Sequence, residues 1–352
     1  MACDRGLPFV ARGGKKLGIG LLMKIFQLSM QYDYGDVARG ESYEYHNFYK
    51  TWLSMGHEVQ FFDFMSQERL LGRSKMNETL LKEAKAFAPD VVVASLYTDQ
   101  IFPKTALELR SQCKTLCFFH DDMWRKDFSQ FWARHFDYFT SSDFEAANKY
   151  RKLGLPNLIH MPFGVNEKLY TPSNEPLQFD VSFVGQWDPY REWIISRLRR
   201  AGLRVHVVGY RWPAGVVSLQ EMVRIFGVSK INLNLSNSAS WDARYLLSSP
   251  KAIINRIRTK KTVEQIKARH FEISACRGFQ LSYYVDGIER CYRIGEEIGV
   301  YLNPDDLLDK ALYYLENEEL RQSMANASYK RTLTDHTYTQ RFSRAFSIMG
   351  FV

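Results

Sequence analysis

The sequence predicts an α/β protein made of two Rossmann-like domains that face each other across a cleft. Short segments that are apolar throughout alternate with amphipathic segments, which is typical of parallel strands covered by helices on both faces. The alternation pauses between Leu158 and Pro172, a stretch rich in proline, and then begins again. The chain has 352 residues, enough for two domains of roughly 150 residues each.

The first half of the chain contains five candidate strands and two clear helical patterns. The strands are Lys24–Met30, Glu58–Phe64, Asp90–Leu96, Lys114–His120 and Tyr138–Ser142. One helix is predicted over Glu41–Met55, ending at Gly56, and a longer one over 67–87, ending before Pro89. Glycine and proline at these places are ordinary signals for the end of a helix.

The second half repeats the same alternation. Its candidate strands are Asp180–Gln186, Arg204–Gly209, Lys230–Ser236 and Phe279–Tyr284, with a helix predicted over Tyr190–Ala201. Because open α/β sheets bind ligands at the carboxyl ends of their strands, two such sheets predict a site in the cleft between them.

Composition and charge exclude several classes of protein. Hydrophobic residues make up 45% of the chain and aromatic residues 14%, so the chain is neither disordered nor collagenous. The five cysteines are odd in number and form no CxxC pair, which indicates a reducing compartment, the cytoplasm. The net charge of +8 suits an anionic ligand but is mild for this length.

The apolar runs are too short for a membrane span, and the first of them marks the start of the fold. No apolar run approaches the roughly 20 residues that span a bilayer. The first strand opens at Met23, so residues 1–22 are expected to be an extension outside the fold.

The strand, loop and helix over Asp180–Arg197 form a candidate phosphate site. Gly185 and Gln186 stand at the end of a buried strand, and Pro189 is well placed as the first residue of a helix. A helix N-terminus carries free N–H groups and a partial positive charge, and Arg191 could add a bidentate contact. The alternative is an ordinary turn with a surface arginine.

The stretch Thr259–Gln280 carries the densest group of charged residues. Glu264 and Glu272 are eight positions apart, and Lys267 and Arg269 lie between them. A carboxylate can accept hydrogen bonds from two hydroxyls of a sugar, and the cations can offset the charge of a departing phosphate. The alternative is a solvated, charged helix face.

A third candidate, His120-Asp121-Asp122, follows a predicted strand directly. Carboxylates at this end of a strand face the cleft and could act as a base or hold hydroxyl groups. A metal site with His135 and Asp137 is one alternative, but no spacing typical of metal ligands is present. Helix capping is another.

These segments together resemble the two-Rossmann, or GT-B, glycosyltransferases, and within them the CgeB-like, spore-maturation group of family-one glycosyltransferases. The resemblance covers roughly residues 23–345. It is carried by KARHFEISACRGFQL at 267–281, IGEEI at 294–298, ALYYL at 311–315, DHTYTQRF at 335–342, HDD at 120–122, FDY at 136–138 and PFGV at 162–165.

The resemblance implies a division of labour between the domains. Residues 23–172 would form the acceptor domain and 173–336 the nucleotide-sugar domain, while 337–352 would form a helix that crosses back to the first domain. Glu272 would hold the ribose, Glu264 would take the place of the first glutamate of the pair near the donor sugar, and Lys267 and Arg269 would lie near the diphosphate. The remaining implied residues are Gly185 and Gln186, facing the diphosphate, and Asp121 and Asp122, on the acceptor side.

The implied reaction is transfer of a sugar from a nucleoside-diphosphate sugar, UDP-type first, to a hydroxyl of a glycan, protein or small molecule. Neither a metal nor a resident cofactor is expected, and the glutamate pair favours retention of the anomeric configuration; if the reaction inverts, Asp121 or Asp122 is the expected base. Two alternatives stay open. One is a DNA-modifying glycosyltransferase, which the basic segment Arg256–Lys261 supports. The other is a non-catalytic protein that binds a nucleotide or glycan. Arg277 and the segment Ser248–Lys261 depart from the family pattern.

Overall fold

The computed structural model describes residues 22–259 and 264–351, and these residues form two parallel β-sheets flanked by helices. The predicted fold class is confirmed. The extension expected over residues 1–22 lies, apart from Leu22, outside the described residues.

The first sheet has six strands in the order β2-β1-β3-β4-β5-β6, all parallel. Its strands are β1 (Lys24–Ser29), β2 (Glu58–Asp63), β3 (Val91–Ala94), β4 (Lys114–Cys117), β5 (Tyr138–Ser141) and β6 (Leu158–His160). The helices around it are α1 (Lys50–Ser54), α2 (Phe64–Leu71), α3 (Arg73–Phe87), α4 (Pro103–Gln112), α5 (Lys126–Ala133) and α6 (Ala146–Lys152). A π-helical turn, Tyr45–Tyr49, leads directly into α1.

Two features of this half differ from the prediction. The single helix predicted over 67–87 is two helices, α2 and α3, because Gly72 between them has a φ of +76°, which ends the first helix. Strand β6 lies inside the proline-rich stretch where the predicted alternation of strands and helices pauses, and it pairs with β5. Its three residues are too few to show a pattern in the sequence.

The second sheet has five parallel strands in the order β11-β10-β9-β7-β8. They are β7 (Phe179–Val184), β8 (Val205–Val208), β9 (Ser229–Asn234), β10 (Gln280–Tyr283) and β11 (Gly299–Tyr301). The helices are α7 (Pro189–Arg200), α8 (Leu219–Gly227), α9 (Ala243–Leu246), α10 (Pro250–Arg258), α11 (Arg269–Ala275), α12 (Pro304–Glu316), α13 (Glu318–Asp335) and α14 (Tyr338–Ile348). The edge strand β11 has three residues and was not predicted.

The last helix, α14, packs against the first half of the chain. The Phe342 ring lies 4.7 Å from the Trp52 ring, measured between centroids, and both side chains are fully buried. The Tyr338 hydroxyl lies 2.8 Å from the Tyr43 hydroxyl. Gly164 allows the close approach, since a Cβ there would lie 2.9 Å from the carbonyl oxygen of His336. The chain end therefore ties the two sheets together.

Candidate active site in the cleft

A cavity of about 510 Å³ lies between the carboxyl ends of the two sheets. The second half of the chain contributes Gln186, Lys267, Ala268, Arg269 and Glu272 to its wall. The first half contributes residues of the loop after β4, two residues just before the π-helical turn, and further aromatic rings. They include Tyr34, Tyr43, Glu44, Tyr97, His120, Asp121, Arg125 and Phe163. The structure thus brings together five of the residues predicted from sequence, namely Asp121, Gln186, Lys267, Arg269 and Glu272.

The position of α11 fixes the basic side of the cavity. This short helix is buried over its last six residues, from His270 to Ala275, so it cannot shift without disturbing the core. Gly278, just after it, accepts the close approach of α8, because a Cβ there would lie 2.7 Å from the Phe226 carbonyl oxygen. Arg269, in the first turn, and Lys267, two residues earlier, therefore face the cleft from a rigid support.

Glu272 is held from two sides. One carboxylate oxygen accepts a hydrogen bond of 2.8 Å from the Tyr170 hydroxyl, and the other accepts one of 2.6 Å from the Arg269 guanidinium. The residue is only 3% exposed. Burial and the neighbouring carboxylate raise the pKa of Tyr170 well above its usual value, so its hydroxyl stays a neutral donor. The hydrogen bonds from Tyr170 and Arg269 fix the Glu272 carboxylate at the cavity wall.

Lys267 bridges the cleft. Its ammonium group forms an ion pair with Asp121 in the loop after β4. Burial by itself raises the pKa of Asp121, but the charge and hydrogen bond of Lys267 outweigh it, so the pKa is lowered and the carboxylate stays charged. Next to this pair, the Gln265 amide donates a hydrogen bond of 2.5 Å to the His120 carbonyl oxygen. An anion that enters here competes with Asp121 for Lys267.

A second polar group, on the cavity wall from the first half of the chain, was not predicted from the sequence. Glu44, 5% exposed, accepts a hydrogen bond of 2.8 Å from Ser95 and lies 2.9 Å from Nε2 of His120. Burial raises the pKa of Glu44, yet His120 and Ser95 lower it by more, so the net shift is downward. Glu44 sits 76 positions before His120, and no spacing in the sequence joins them.

Asp122, the neighbour of Asp121, lies behind the cavity wall. It is 4% exposed and accepts a hydrogen bond from the Ser141 hydroxyl on β5. Burial raises its pKa to about 6. The structure therefore separates the two aspartates that the sequence placed together on the acceptor side.

The predicted phosphate loop is closed by its own side chains. The Asp188 carboxylate accepts hydrogen bonds of 2.9 Å from the backbone N–H groups of Tyr190 and Arg191, which caps α7. The Arg191 guanidinium donates to the carbonyl oxygens of Gln186 (2.8 Å) and Leu235 (3.1 Å). Arg191 thus shapes the loop that carries Gln186 into the cavity.

Gly185 lies in the strand-to-loop turn beneath this site. Its carbonyl oxygen accepts a hydrogen bond of 3.0 Å from the Trp212 indole N–H. A Cβ on Gly209, which directly follows β8, would lie 2.1 Å from the same oxygen, and a Cβ on Gly185 would lie 2.7 Å from the Phe183 ring. Both glycines therefore allow the two loops to pack closely.

Glu264 lines a different cavity, of about 310 Å³, also at the carboxyl end of the second sheet. Its wall includes Asn237, Arg256, Tyr283 and Asn303. The eight-residue spacing therefore does not bring Glu264 and Glu272 into one cavity, since residues 264–267 are not helical and α11 begins only at Arg269.

The residues considered for a metal site are engaged elsewhere. The Asp137 carboxylate accepts hydrogen bonds from Thr115 and Arg110, and His135 lies against Phe131. Within 22–259 and 264–351, no group of three or more His, Cys, Asp or Glu side chains is placed to hold a metal ion. None of the helices in these ranges is long and apolar enough to cross a membrane.

Comparison with known proteins agrees with this architecture. Residues 191–347, somewhat less than half of the chain, match the family described as glycosyl transferase-like. The spore protein CgeB of Bacillus subtilis (strain 168) is 23% identical over 213 residues, which cover 55% of this chain and 62% of that protein. The chain thus spans less than two thirds of the length of this curated relative.

Solved structures with the same fold include several glycosyltransferases. Sucrose-phosphate synthase from Thermosynechococcus elongatus superposes with a TM-score of 0.60 at 11% identity, over 93% of this chain and 98% of that one. A glycosyltransferase from Rickettsia africae gives 0.61 at 12% identity, with the same coverage. Anabaena HepE, solved in complex with UDP and glucose, gives 0.57 at 13%, over 92% of this chain and 99% of that one.

The resemblance drawn from the sequence motifs is confirmed. The chain has the two-domain GT-B architecture, its residues 191–347 match the glycosyl transferase-like family, and its sequence is similar to that of CgeB.

Proposed function

We propose that this protein moves a sugar from a nucleoside-diphosphate sugar to a hydroxyl acceptor in the 510 Å³ cavity. The observation that carries the proposal is the distribution of charge across this cavity. Lys267 and Arg269 lie on the wall from the second domain, and His120 and Glu44 lie on the opposite wall. The donor is assigned to the basic wall and the acceptor to the other.

The donor site is built for a diphosphate and a ribose. Lys267 and Arg269 can neutralise the diphosphate as the sugar leaves, and the Glu272 carboxylate can accept hydrogen bonds from ribose hydroxyls. Gln186 reaches the same wall from the loop after β7. We assign UDP as the first nucleotide to test, since HepE, a protein of the same fold, binds it. No metal is needed in this proposal, because these two cations supply the positive charge.

We propose retention of the anomeric configuration. The four carboxylates on the cavity wall all have a basic side chain as a partner: Asp33 contacts Arg39, Glu44 contacts the His120 imidazole, Asp121 contacts Lys267, and Glu272 contacts Arg269. In a retaining transfer the bond from sugar C1 to the β-phosphate oxygen breaks, and the acceptor oxygen attacks C1 from the same face. The acceptor proton then passes to the departing phosphate oxygen, so no carboxylate base is required.

One observation favours inversion as the second candidate. The His120 imidazole, 2.9 Å from the buried Glu44 carboxylate, has the arrangement of an oriented general base. It would take the acceptor proton while the acceptor attacks from the opposite face. The configuration of the product at C1, read by NMR, separates the two mechanisms: an unchanged anomer supports retention, and an inverted one assigns the base to His120.

Nucleotide binding is the first test of the donor site. The purified protein is screened by thermal shift against UDP, GDP, CDP, dTDP and their common sugars, with and without EDTA. A ligand at a hundred times its dissociation constant adds about 2.7 kcal/mol of stability. Stabilisation by one nucleotide that EDTA does not change supports the metal-free site. If no nucleotide raises the melting temperature, the donor site is wrongly assigned.

A non-catalytic binding protein is separated from a transferase by turnover. Such a protein would be stabilised by the nucleotide sugar and leave it intact, whereas a transferase releases the nucleoside diphosphate. Wild-type protein that binds a donor without releasing nucleotide, with a range of hydroxyl acceptors supplied, supports the binding protein.

We also place the protein in a reducing compartment, the cytoplasm. The thiols of Cys113, Cys117, Cys276 and Cys291 are free, and all but that of Cys113 are buried. Burial raises the pKa of Cys113 and Cys291 to about 11, so both thiols stay protonated.

A further inference from the structure

Helix α10 carries an apolar face that points away from the protein. Its inner side is anchored by Ala252, which is fully buried, and by Asn255, whose amide donates to the Ser238 carbonyl oxygen (2.8 Å) and the Tyr245 hydroxyl (3.0 Å). On the opposite side, Ile253, Ile254 and Ile257 are 46%, 48% and 74% exposed. Three solvent-exposed isoleucines on one helix of nine residues form an apolar patch of the kind that marks an interaction surface.

Two more apolar side chains extend this surface. Leu247, just before the helix, is 86% exposed, and Trp241 is 70% exposed. The Arg256 guanidinium lies over the Trp241 ring, 4.0 Å from its centroid. We call Trp241, Leu247 and the outer side of α10 the α10 surface.

Helix α10 carries charge of one sign. It contains three cations, Lys251, Arg256 and Arg258, and no Asp or Glu, whereas Arg244, before the helix, is already paired with Asp242 and Asp305. At about 100° per residue, the three isoleucines fall within an arc of about 100°. Arg256 lies on one flank of this arc, and Lys251 and Arg258 lie on the other. An apolar stripe with cations on both sides is the pattern of helices that lie in the surface of a membrane.

We propose that the α10 surface docks on the anionic face of a lipid bilayer. The isoleucines, Leu247 and Trp241 enter the boundary between headgroups and acyl chains, and the flanking cations contact lipid phosphates. A nucleic-acid duplex would use the cations alone and leave five apolar side chains against phosphates, so the lipid surface fits the whole patch. Arg256 also lines the 310 Å³ cavity that holds Glu264, so docking places the mouth of that cavity at the membrane.

Vesicle binding tests this proposal without any need for turnover. The full chain is floated with vesicles of phosphatidylcholine alone and with vesicles that contain about one third phosphatidylglycerol. We expect binding to the anionic vesicles only, weakened as salt shortens the range of the charges. Failure to bind anionic vesicles at low salt overturns the proposal.

Two double variants separate the contributions of apolar and charged side chains. Ile254→Gln with Ile257→Gln should lower vesicle binding about fivefold, and Lys251→Gln with Arg258→Gln should lower it about tenfold or more. Leu70→Gln is the matched control, because Leu70 is 77% exposed on α2 in the other domain, and it should change nothing. Melting temperatures equal to wild type show that each variant is folded.

The same variants show whether the partner is instead a nucleic acid. If the cations alone bind a duplex oligonucleotide, wild type and Ile254→Gln/Ile257→Gln bind it equally well, and Lys251→Gln/Arg258→Gln binds it more weakly. That result, with a steep dependence of binding on salt, overturns the lipid proposal in favour of DNA. Vesicle binding that the isoleucine variant leaves unchanged also contradicts it.

Discussion

Glu272 and Asp122 show how two buried carboxylates in one protein come to have different uses. Glu272 lies at the cavity wall with a cation and a hydroxyl donor on its two oxygens, so its charge is supported where a ribose can reach it. Asp122 is buried behind the wall, where a hydroxyl donor holds one oxygen, and its pKa is raised. The first arrangement favours a binding group and the second a structural one.

Substitution of Glu272 must keep its hydrogen bonds if it is to report on binding. Glu272→Ala leaves the Tyr170 hydroxyl buried without its acceptor and removes the partner of Arg269, so we expect a loss of about 2 to 4 kcal/mol in unfolding free energy. Glu272→Gln keeps an acceptor for Tyr170 and should cost less than half of that, while UDP affinity still falls about tenfold. Chemical denaturation and calorimetric titration measure the two effects. UDP affinity at the wild-type value in Glu272→Gln removes Glu272 from the donor site.

Asp122 should make stability depend on pH in the opposite sense to the ion-paired carboxylates. Its pKa of about 6 is above the unfolded value, so the native state holds a proton that the unfolded chain has lost between about pH 4 and pH 6. The contribution of Asp122 to stability is therefore largest at low pH and falls as pH rises. Asp122→Asn removes this loss, and its stability relative to wild type should rise by about 2 to 3 kcal/mol from pH 4 to pH 7. A difference between the two proteins that stays constant with pH means that Asp122 titrates normally.

The cavity residues that were predicted from the sequence lie close to one another along the chain, whereas the residue that was not predicted lies far from its partner. Lys267, Arg269 and Glu272 stand within six positions of one another, so one helix start brings them together. Glu44, just before the π-helical turn, meets His120, in the loop after β4, only through the tertiary fold, and no local pattern contains that information. The roles predicted for these residues stay predictions.

Helix ends in this structure are fixed by side chains that the sequence shows clearly. Pro189 is predicted as the first residue of a helix, and α7 begins there, with the Asp188 carboxylate as its N-cap. By contrast, β6 and β11 have three residues each, and tertiary pairing alone defines them. Longer elements were therefore predictable from their periodicity, and the short edge strands were not.

The Asp188 cap supports both α7 and the loop that enters the cavity. Asp188→Ala should lower the unfolding free energy by about 1 to 2 kcal/mol, because two backbone donors and the Arg191 ion pair lose their acceptor. Asp188→Asn keeps the cap and serves as the control, with a smaller loss. Equal stability of both variants and wild type, measured by urea denaturation, contradicts the role of the cap.

At the scale of the whole molecule, the two domains are joined by polar contacts at the site and by the packing of α14 against the first half of the chain. Lys267 pairs with Asp121, and Gln265 donates to His120. The Arg39 guanidinium, from the first half, stacks on the Tyr210 ring of the second at 4.1 Å. The cleft is therefore closed by groups that a charged donor can also use, which suits a protein that opens and closes around its substrate.

Asp121 should compete with the diphosphate for Lys267. Asp121→Asn removes the competing charge, so nucleoside-diphosphate affinity in EDTA should rise about three- to tenfold by calorimetric titration. Asp180→Asn is the control, because it changes the net charge equally at the other end of the second sheet, where Asp180 pairs with Arg204 and Lys230. An equal rise in nucleotide affinity in both variants means that the net charge of the protein causes the rise. A fall in the affinity of Asp121→Asn means that Asp121 supports the donor site.

The most direct test of the whole account is release of nucleoside diphosphate from a panel of UDP-sugars in EDTA, by wild type and by Lys267→Ala. The account predicts turnover by wild type with at least one donor and a drop of about a hundredfold or more in Lys267→Ala, since Lys267 offsets the charge of the leaving group. Turnover that is the same in both proteins, or that appears only when a divalent metal replaces EDTA, contradicts the assignment of the basic wall of the cleft.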